Sequence, residues 1–172
     1  MTQELIDLRA SILEGRYEDA LAIVDELEGM SKQAIISNIQ SFLDRIMMHL
    51  IKNQVEQRLT NSWAASIADS LLRIKRLNLK ENKTSYYIKE EEWDELLEES
   101  INAATITASV EVMNGQFSPL QLAELVDKTQ VINNTKALLA LIYVHSAKEL
   151  PDIIPTQLAQ LPGGEDWKEG RR

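Results

Sequence analysis

The sequence has no cysteine, and it has few glycine, proline and aromatic residues. The lack of cysteine excludes a disulfide scaffold, a cysteine nucleophile and a thiolate metal site, and it fits a reducing cytoplasm. No glycine-rich phosphate loop and no Gly-x-Ser-x-Gly turn occurs, which argues against the common nucleotide-binding and hydrolase classes. We therefore predict no cofactor, no metal and no catalytic residue, and leave open whether the chain is an enzyme.

Long apolar runs and an excess of basic charge are also missing. The longest strongly apolar stretch without a charge covers residues 137–147, far short of the roughly 20 residues of a membrane span. The first four residues show no basic segment followed by an apolar one, so no signal peptide is predicted. The net charge is −9, whereas nucleic-acid binding draws most of its affinity from a basic face. We therefore expect a cytoplasmic protein with no membrane partner and no nucleic-acid partner.

What the sequence does have is apolar residues at helical spacing over almost its full length. A wide stripe runs from Ser31 to about Leu59, with Ile35, Ile39 and Ile46 on one face, the pattern of a helix buried on most of one side. Ser31 is placed as its N-cap, and Gly29 as the end of the helix before it. The pattern predicts an all-α fold, a single bundle of about six or seven helices around a long central helix near residues 31–59.

The boundaries of the bundle follow from helix start and stop signals. Ser118-Pro119-Leu120-Gln121 predicts a helix start, because Ser caps, Pro suits the first helical position and Gln closes a capping box. After residue 150 come three prolines and the pair Gly163-Gly164. We therefore predict a helical-bundle domain over residues 1–150 and a partly flexible C-terminal tail over residues 151–172.

A run of acidic side chains between Glu90 and Glu99 could suggest a cation site. Trp93, Leu96 and Leu97 lie between these acids at helical spacing, so most of the carboxylates point to the opposite, solvated face. The first ones also lie where the dipole of a helix favours negative charge. We interpret the run as a solvated helix start rather than a metal site.

His49 is the candidate polar residue on the long helix. If a turn at Gly29–Met30 makes the second helix antiparallel to the third, only its start, Glu18 or Asp19, reaches the depth of His49, roughly 27 Å along the helix. Binuclear carboxylate bundles need paired Glu-x-x-His motifs, and none occurs. Whether His49 is a functional or a core histidine stays open. The candidate ligand or polar-core site comprises His49, Lys52, Trp63, Glu18 and Asp19.

Several short motifs resemble one bacterial family. They are Gly15-Arg16-Tyr17, the acidic turn Asp25-Glu26-Leu27-Glu28-Gly29-Met30, His49-Leu50-Ile51-Lys52, Ser62-Trp63, Ser66-Ile67 and Phe117-Ser118-Pro119-Leu120-Gln121. Together they resemble the domain of unknown function 29 family over roughly residues 1–130. The resemblance implies a helical bundle and a cytoplasmic bacterial protein, and it implies no activity.

Two hypotheses of function follow. The first is a non-enzymatic protein-interaction or regulatory module that binds a protein partner or itself, because the sequence has no catalytic constellation and an acidic surface. The alternative is an enzyme or small-ligand binder with a pocket between helices around His49 and Trp63, since bundles place pockets there. Nucleic-acid binding would need a basic patch, formed by Arg73, Lys75, Arg76 and Lys80.

Overall fold

Helices make up almost all the regular structure in the computed structural model, which describes residues 1–171. The eight α-helices are α1 (Gln3–Leu13), α2 (Tyr17–Glu56), α3 (Asn61–Asn78), α4 (Asp94–Ser109), α5 (Pro119–Leu125), α6 (Lys128–Val144), α7 (Leu150–Leu158) and α8 (Gly164–Lys168). Short 3-10 helices cover Glu90–Glu92 and Val112–Gly115. The described residues contain no strand, only an isolated bridge between Leu79 and Tyr86. The predicted all-α fold is confirmed.

The chain forms two compact units, one of residues 1–38 and one that begins at Ile39. The first unit contains α1 and the start of α2. Gly15 joins them with a φ of 75°, a left-handed conformation that glycine adopts at no steric cost. The N–H of Arg16 donates to the carbonyl of Ser11 at 2.8 Å and closes the turn. The second unit contains the rest of α2 and all later helices.

Helix α2 is longer than the sequence pattern predicts. It runs without interruption from Tyr17 to Glu56, so the predicted helix end at Gly29 and the predicted N-cap at Ser31 are wrong. Gly29 is not among the glycines with a positive φ. A glycine inside a helix costs only about 1 kcal/mol relative to alanine, which the apolar stripes on both sides can outweigh. The predicted long helix itself is confirmed.

The core of the second unit is built from large aliphatic side chains. Helix α3 packs against α6 and α7, and α4 packs against α5 and α6. The largest fully buried side chains are Ile39, Leu43, Ile46, Met47, Leu50, Ile51, Ile67, Leu71, Ile74, Leu97, Leu122 and Leu138. Half of them come from α2, so this part of the helix supplies much of the core. None of the helices described is long and apolar enough to cross a membrane.

Local capping agrees with the sequence at the start of α5. The N–H of Gln121 donates to Ser118 Oγ at 3.2 Å, and the N–H of Ser118 donates to Gln121 Oε1 at 2.9 Å. Pro119 occupies the first turn, where its missing N–H is not needed. The predicted capping box at Ser118 is therefore confirmed.

The segment after residue 150, expected to be a partly flexible tail, contains α7 and α8. Leu150, Ile154 and Leu158 are buried on one face of α7. Gly164 is also buried, and a Cβ at this position would lie 2.4 Å from the carbonyl oxygen of Ala159. The prolines that suggested a loose tail include Pro151, which lies in the first turn of α7 and is compatible with the helix.

Candidate functional site

Three of the five predicted site residues lie near one another in the second unit. His49 and Lys52 are on consecutive turns of α2, and Trp63 is in the first turn of α3. The ammonium nitrogen of Lys52 is 4.7 Å from the centroid of the Trp63 ring, within the range of a cation–π contact. Lys52 also donates to Glu111 Oε2 at 2.5 Å. We call His49, Lys52, Trp63 and Glu111 the Lys52 cluster.

The start of α3 holds Trp63 in place. Thr60 is the N-cap of this helix, and its Oγ1 accepts a hydrogen bond from the N–H of Trp63 at 3.1 Å. A threonine in this position satisfies one of the helix's free N–H groups. The indole is buried, and its orientation follows from a capped helix rather than from a mobile loop.

Burial governs the electrostatics of the Lys52 cluster. The Lys52 side chain is 7% exposed and that of Glu111 is 53% exposed. The hydrogen bond and charge of Lys52 lower the pKa of Glu111. Burial lowers the pKa of His49 to about 4, and the charge of Lys52 adds to this shift while Glu111 opposes it. The His49 imidazole is therefore neutral at pH 7, and its buried Nδ1 has no hydrogen-bond partner.

A cavity of about 330 Å³ borders the cluster. Its lining residues are Lys52, Glu56, Arg58, Trp63, Glu111, Met113, Asn114 and Gln116. Arg58 contacts the Trp63 ring at 4.9 Å from its centroid and pairs with Glu56 at 2.9 Å. The lining thus holds two cations and two carboxylates. Polar groups of both charges in one concavity can orient a small polar ligand.

Strained backbone forms one wall of this cavity. Met113, Asn114 and Gly115 have consecutive φ values of 47°, 58° and 75°. A left-handed conformation costs roughly 1–2 kcal/mol for a residue such as methionine, and asparagine adopts it more readily. The N–H of Met113 donates to Glu56 Oε2 at 3.4 Å, and that of Asn114 donates to the Glu111 carbonyl at 3.1 Å. Such strain occurs most often at functional sites.

Glu18 and Asp19, the remaining predicted site residues, belong to the first unit. Asp19 Oδ2 accepts a hydrogen bond from Arg16 at 3.0 Å. Both residues lie in the first turn of α2, the same helix that carries His49. The turn at Gly29–Met30 that was expected to bring them toward His49 does not exist, because the helix continues. The reason for including these two carboxylates is therefore lost.

The carboxylate that does pair with Lys52 was missed by sequence reasoning. Glu111 is 59 residues away in the chain and lies outside the acidic run, so no spacing rule connects it to α2. In the part of the chain that is described, no group of three or more His, Cys, Asp or Glu residues could hold a metal ion. One acid of the run, Asp94, pairs with Lys136.

The first unit also has an unusual feature. We call it the apolar hairpin, and it consists of α1, the Gly15 turn and α2 as far as Asn38. Only Ser11 and Ala20 are buried within it. Its exposed large apolar residues are Met1, Leu5, Ile6, Ile12, Leu13, Tyr17, Leu21, Val24 and Met30. Leu13 is 77% exposed and Leu21 is 63% exposed. The hairpin thus carries exposed apolar side chains of the types that usually form a core.

A protein-family model matches most of the chain. The family model described as domain of unknown function DUF29 matches residues 16–131, more than half of the chain. No curated protein and no solved structure matches the chain. The matched segment contains the whole Lys52 cluster and the α2 part of the apolar hairpin, whereas α7 and α8 lie outside it.

Proposed function

The chain belongs to the family described as domain of unknown function DUF29, and from this premise we propose that it is a non-enzymatic protein-interaction module. One observation carries the proposal. Nine of the fourteen large apolar side chains of the apolar hairpin are exposed, including Leu13 and Leu21, and none of the fourteen is buried. Soluble monomers rarely expose contiguous apolar patches of more than a few hundred Å², and larger patches mark interaction sites.

The energetics of the hairpin support this proposal. A two-helix unit that buries only Ser11 and Ala20 gains little hydrophobic stabilisation of its own, and short isolated helices are marginal in water. Full burial of a leucine, isoleucine or valine side chain stabilises by about 1.5–3 kcal/mol. A partner that covers four or five of these side chains would therefore offset the cost of ordering itself and the hairpin.

Affinity capture with the full chain tests the proposal. The bait is the wild type, the double variant Leu13→Ala/Leu21→Ala, or Leu120→Ala as a matched control. Leu120 is 81% exposed but lies in α5, outside the hairpin. We expect a partner, identified by mass spectrometry from a lysate of the source cells, that the wild type and Leu120→Ala retain and the double variant loses.

Light scattering on a gel-filtration column completes this test, because the partner could also be a second copy. A wild-type chain that is monomeric at all concentrations and captures nothing that the double variant loses would contradict the proposal. Circular dichroism of the double variant should match the wild type, since alanine is the best helix former and the replaced side chains are exposed.

A second candidate function is small-ligand binding in the 330 Å³ cavity beside the Lys52 cluster. The left-handed residues Met113 and Asn114 in its wall favour it, together with the ion pair between the buried Lys52 and the exposed Glu111. Thermal-shift screening with metals and polar metabolites tests it. We expect a stabilising compound whose effect is lost in Lys52→Met, since Lys52 lines the cavity. If no compound raises the melting temperature of the wild type, this candidate fails.

A further inference from the structure

We propose that the partner of the apolar hairpin is an amphipathic helix with basic residues beside its apolar stripe. This inference rests on the proposed function and names the chemistry of the partner. Its evidence is the charge pattern around the exposed apolar side chains of α2. The exposed apolar stripe supports a partner molecule that covers this surface. The charge beside the stripe indicates which class of molecule can bind there.

Acidic side chains border the apolar stripe of α2. Tyr17, Leu21 and Val24 follow one another at four- and three-residue spacing, so they share one face of the helix. Glu18 and Asp25 each follow a stripe residue and lie at the edge of this face. Glu28 continues the stripe one turn after Val24. All three carboxylates are exposed, and none forms an ion pair within the described residues 1–171.

The hairpin as a whole is strongly acidic. Residues 1–38 contain eight acidic and three basic side chains, which gives a net charge of −5. Arg16 is engaged at the turn by Glu14 and Asp19, so little positive charge is free to offset the carboxylates near Leu21. A partner surface with positive charge is attracted by the net negative charge of the hairpin, and a partner surface with negative charge is repelled.

The charge decides among the molecules that could cover an apolar helix face. An anionic membrane surface and a nucleic acid are both repelled by a net charge of −5. A second copy of the hairpin brings the same excess of acid to the interface. A basic amphipathic helix satisfies both features at once, because its apolar stripe meets Leu21 and its lysines or arginines meet Asp25 and Glu28.

The size of the partner follows from helix geometry. From Tyr17 to Glu28 the helix rises about 16 Å, at about 1.5 Å per residue. Helix α1, with Leu5 and Leu13 exposed, has a similar length of 11 residues. A partner segment of about 12–14 residues, or three to four turns, spans this surface. Apolar residues at i, i+4 and i+7 would match the spacing of the stripe.

Two synthetic peptides of 14 residues test the inference against the full chain. Both carry the same leucine stripe, and one has lysine at every flanking position where the other has glutamate. Binding is measured by fluorescence anisotropy of the labelled peptide. We expect the lysine peptide to bind, the glutamate peptide to bind at least tenfold more weakly, and the lysine peptide to lose affinity as salt is raised.

Variants of the full chain separate local charge from net charge. We expect Glu18→Gln/Asp25→Asn/Glu28→Gln to weaken the lysine peptide about tenfold or more. The control Glu91→Gln/Glu95→Gln/Glu98→Gln removes the same charge from exposed positions of the acidic run, and it should change affinity little. Leu13→Ala/Leu21→Ala should also weaken binding, whereas Leu120→Ala should not.

Three results would overturn the inference. The first is that both peptides bind with equal affinity or that neither peptide binds. The second is that the two charge variants weaken binding of the lysine peptide equally. The third is a wild-type dimer that Leu21→Ala dissociates, which would identify a second copy as the partner. In each case, capture of a protein or copy that Leu13→Ala/Leu21→Ala loses would leave the proposed function standing. Its absence would end both proposals.

Discussion

The two parts of helix α2 have apolar residues at similar spacing, but they differ in how exposed these side chains are. Before Ile39, no large apolar residue of α2 is buried, and Leu21 is 63% exposed. From Ile39 onward the same spacing gives buried side chains, and Leu43 is fully buried. Periodicity therefore shows which residues of a helix share a face, but it does not show whether that face is covered. The proposal of a partner rests on this exposed apolar face within a continuous helix.

The largest effect predicted from this comparison comes from the same substitution in both parts of α2. Leu43→Ala should lower the free energy of unfolding by about 2–5 kcal/mol, because it removes buried methyl groups and leaves a cavity. Leu21→Ala should change it by less than about 0.5 kcal/mol, because the side chain is exposed. Urea unfolding of both variants measures the difference.

The control for this pair is Leu120→Ala in α5, another exposed leucine. Its effect should match that of Leu21→Ala in sign and size. If Leu21→Ala alone lowers the free energy of unfolding by more than about 2 kcal/mol, the Leu21 side chain is buried in solution. The comparison between the two parts of α2 would then fail.

The sequence predicted the fold class and most helices because apolar periodicity and capping residues act locally. Ser118 and Pro119 set the start of α5 through neighbours three residues away. Gly29 was misjudged because the same local signal ends some helices and is tolerated in others, and the flanking stripes decide which. Tertiary context, not local chemistry, made the difference there.

The candidate site was only partly predictable for a similar reason. The proximity of His49, Lys52 and Trp63 was predictable, because His49 and Lys52 share a helix and Trp63 follows soon after it. Glu111 pairs with Lys52 across 59 positions of the chain, and no pattern in the sequence marks it. The left-handed conformation of Met113 was also unforeseen, because methionine has no preference for it.

Substitution of Gly164 tests how tightly the C-terminal segment of the second unit packs. A Cβ here would lie 2.4 Å from the Ala159 carbonyl oxygen, so Gly164→Ala should destabilise by about 1–3 kcal/mol. The fluorescence of Trp167, whose indole N–H donates to Asn61 at 2.8 Å, should report the local change. Gly170→Ala is not a clean control, because Gly170 has a positive φ.

Wild-type stability and wild-type Trp167 fluorescence in Gly164→Ala would contradict close packing of this segment. The C-terminal segment would then be less buried than the structure shows. The difference in burial between the second unit and the hairpin would be smaller. Truncation after Leu161 gives an independent check, since it removes α8 and leaves Leu158 and the rest of α7.

Acidification should weaken the second unit through His49. Its pKa is about 4 in the folded chain against about 6.5 when unfolded, so the unfolded chain binds a proton in this window and the native chain does not. The contribution of neutral His49 to the free energy of unfolding is fully present above pH 6.5, and it is lost as the pH falls toward 4. Between pH 7 and pH 5 we expect a loss of about 1–2 kcal/mol.

His49→Gln should remove most of this pH dependence, whereas His145→Gln should keep it. The groups that act on His49 are Lys52, Arg45 and Glu111, and the pKa of Glu111 is lowered, so it stays ionised down to pH 5. Urea unfolding at pH 7, 6 and 5 gives the slope for each variant. An unchanged slope in His49→Gln would show that other groups cause the pH dependence.

The smallest effect concerns the point where the predicted turn was wrong. Gly29 lies inside α2, and a Cβ added there meets no atom within 4 Å. Gly29→Ala should therefore stabilise the helix by about 0.5–1 kcal/mol, since alanine loses less backbone entropy than glycine on folding. Circular dichroism should show equal or greater helix content, and thermal unfolding should shift upward. If Gly29→Ala lowers helix content instead, the chain turns at Gly29 in solution, and the stripe from Tyr17 to Val24 belongs to a separate helix.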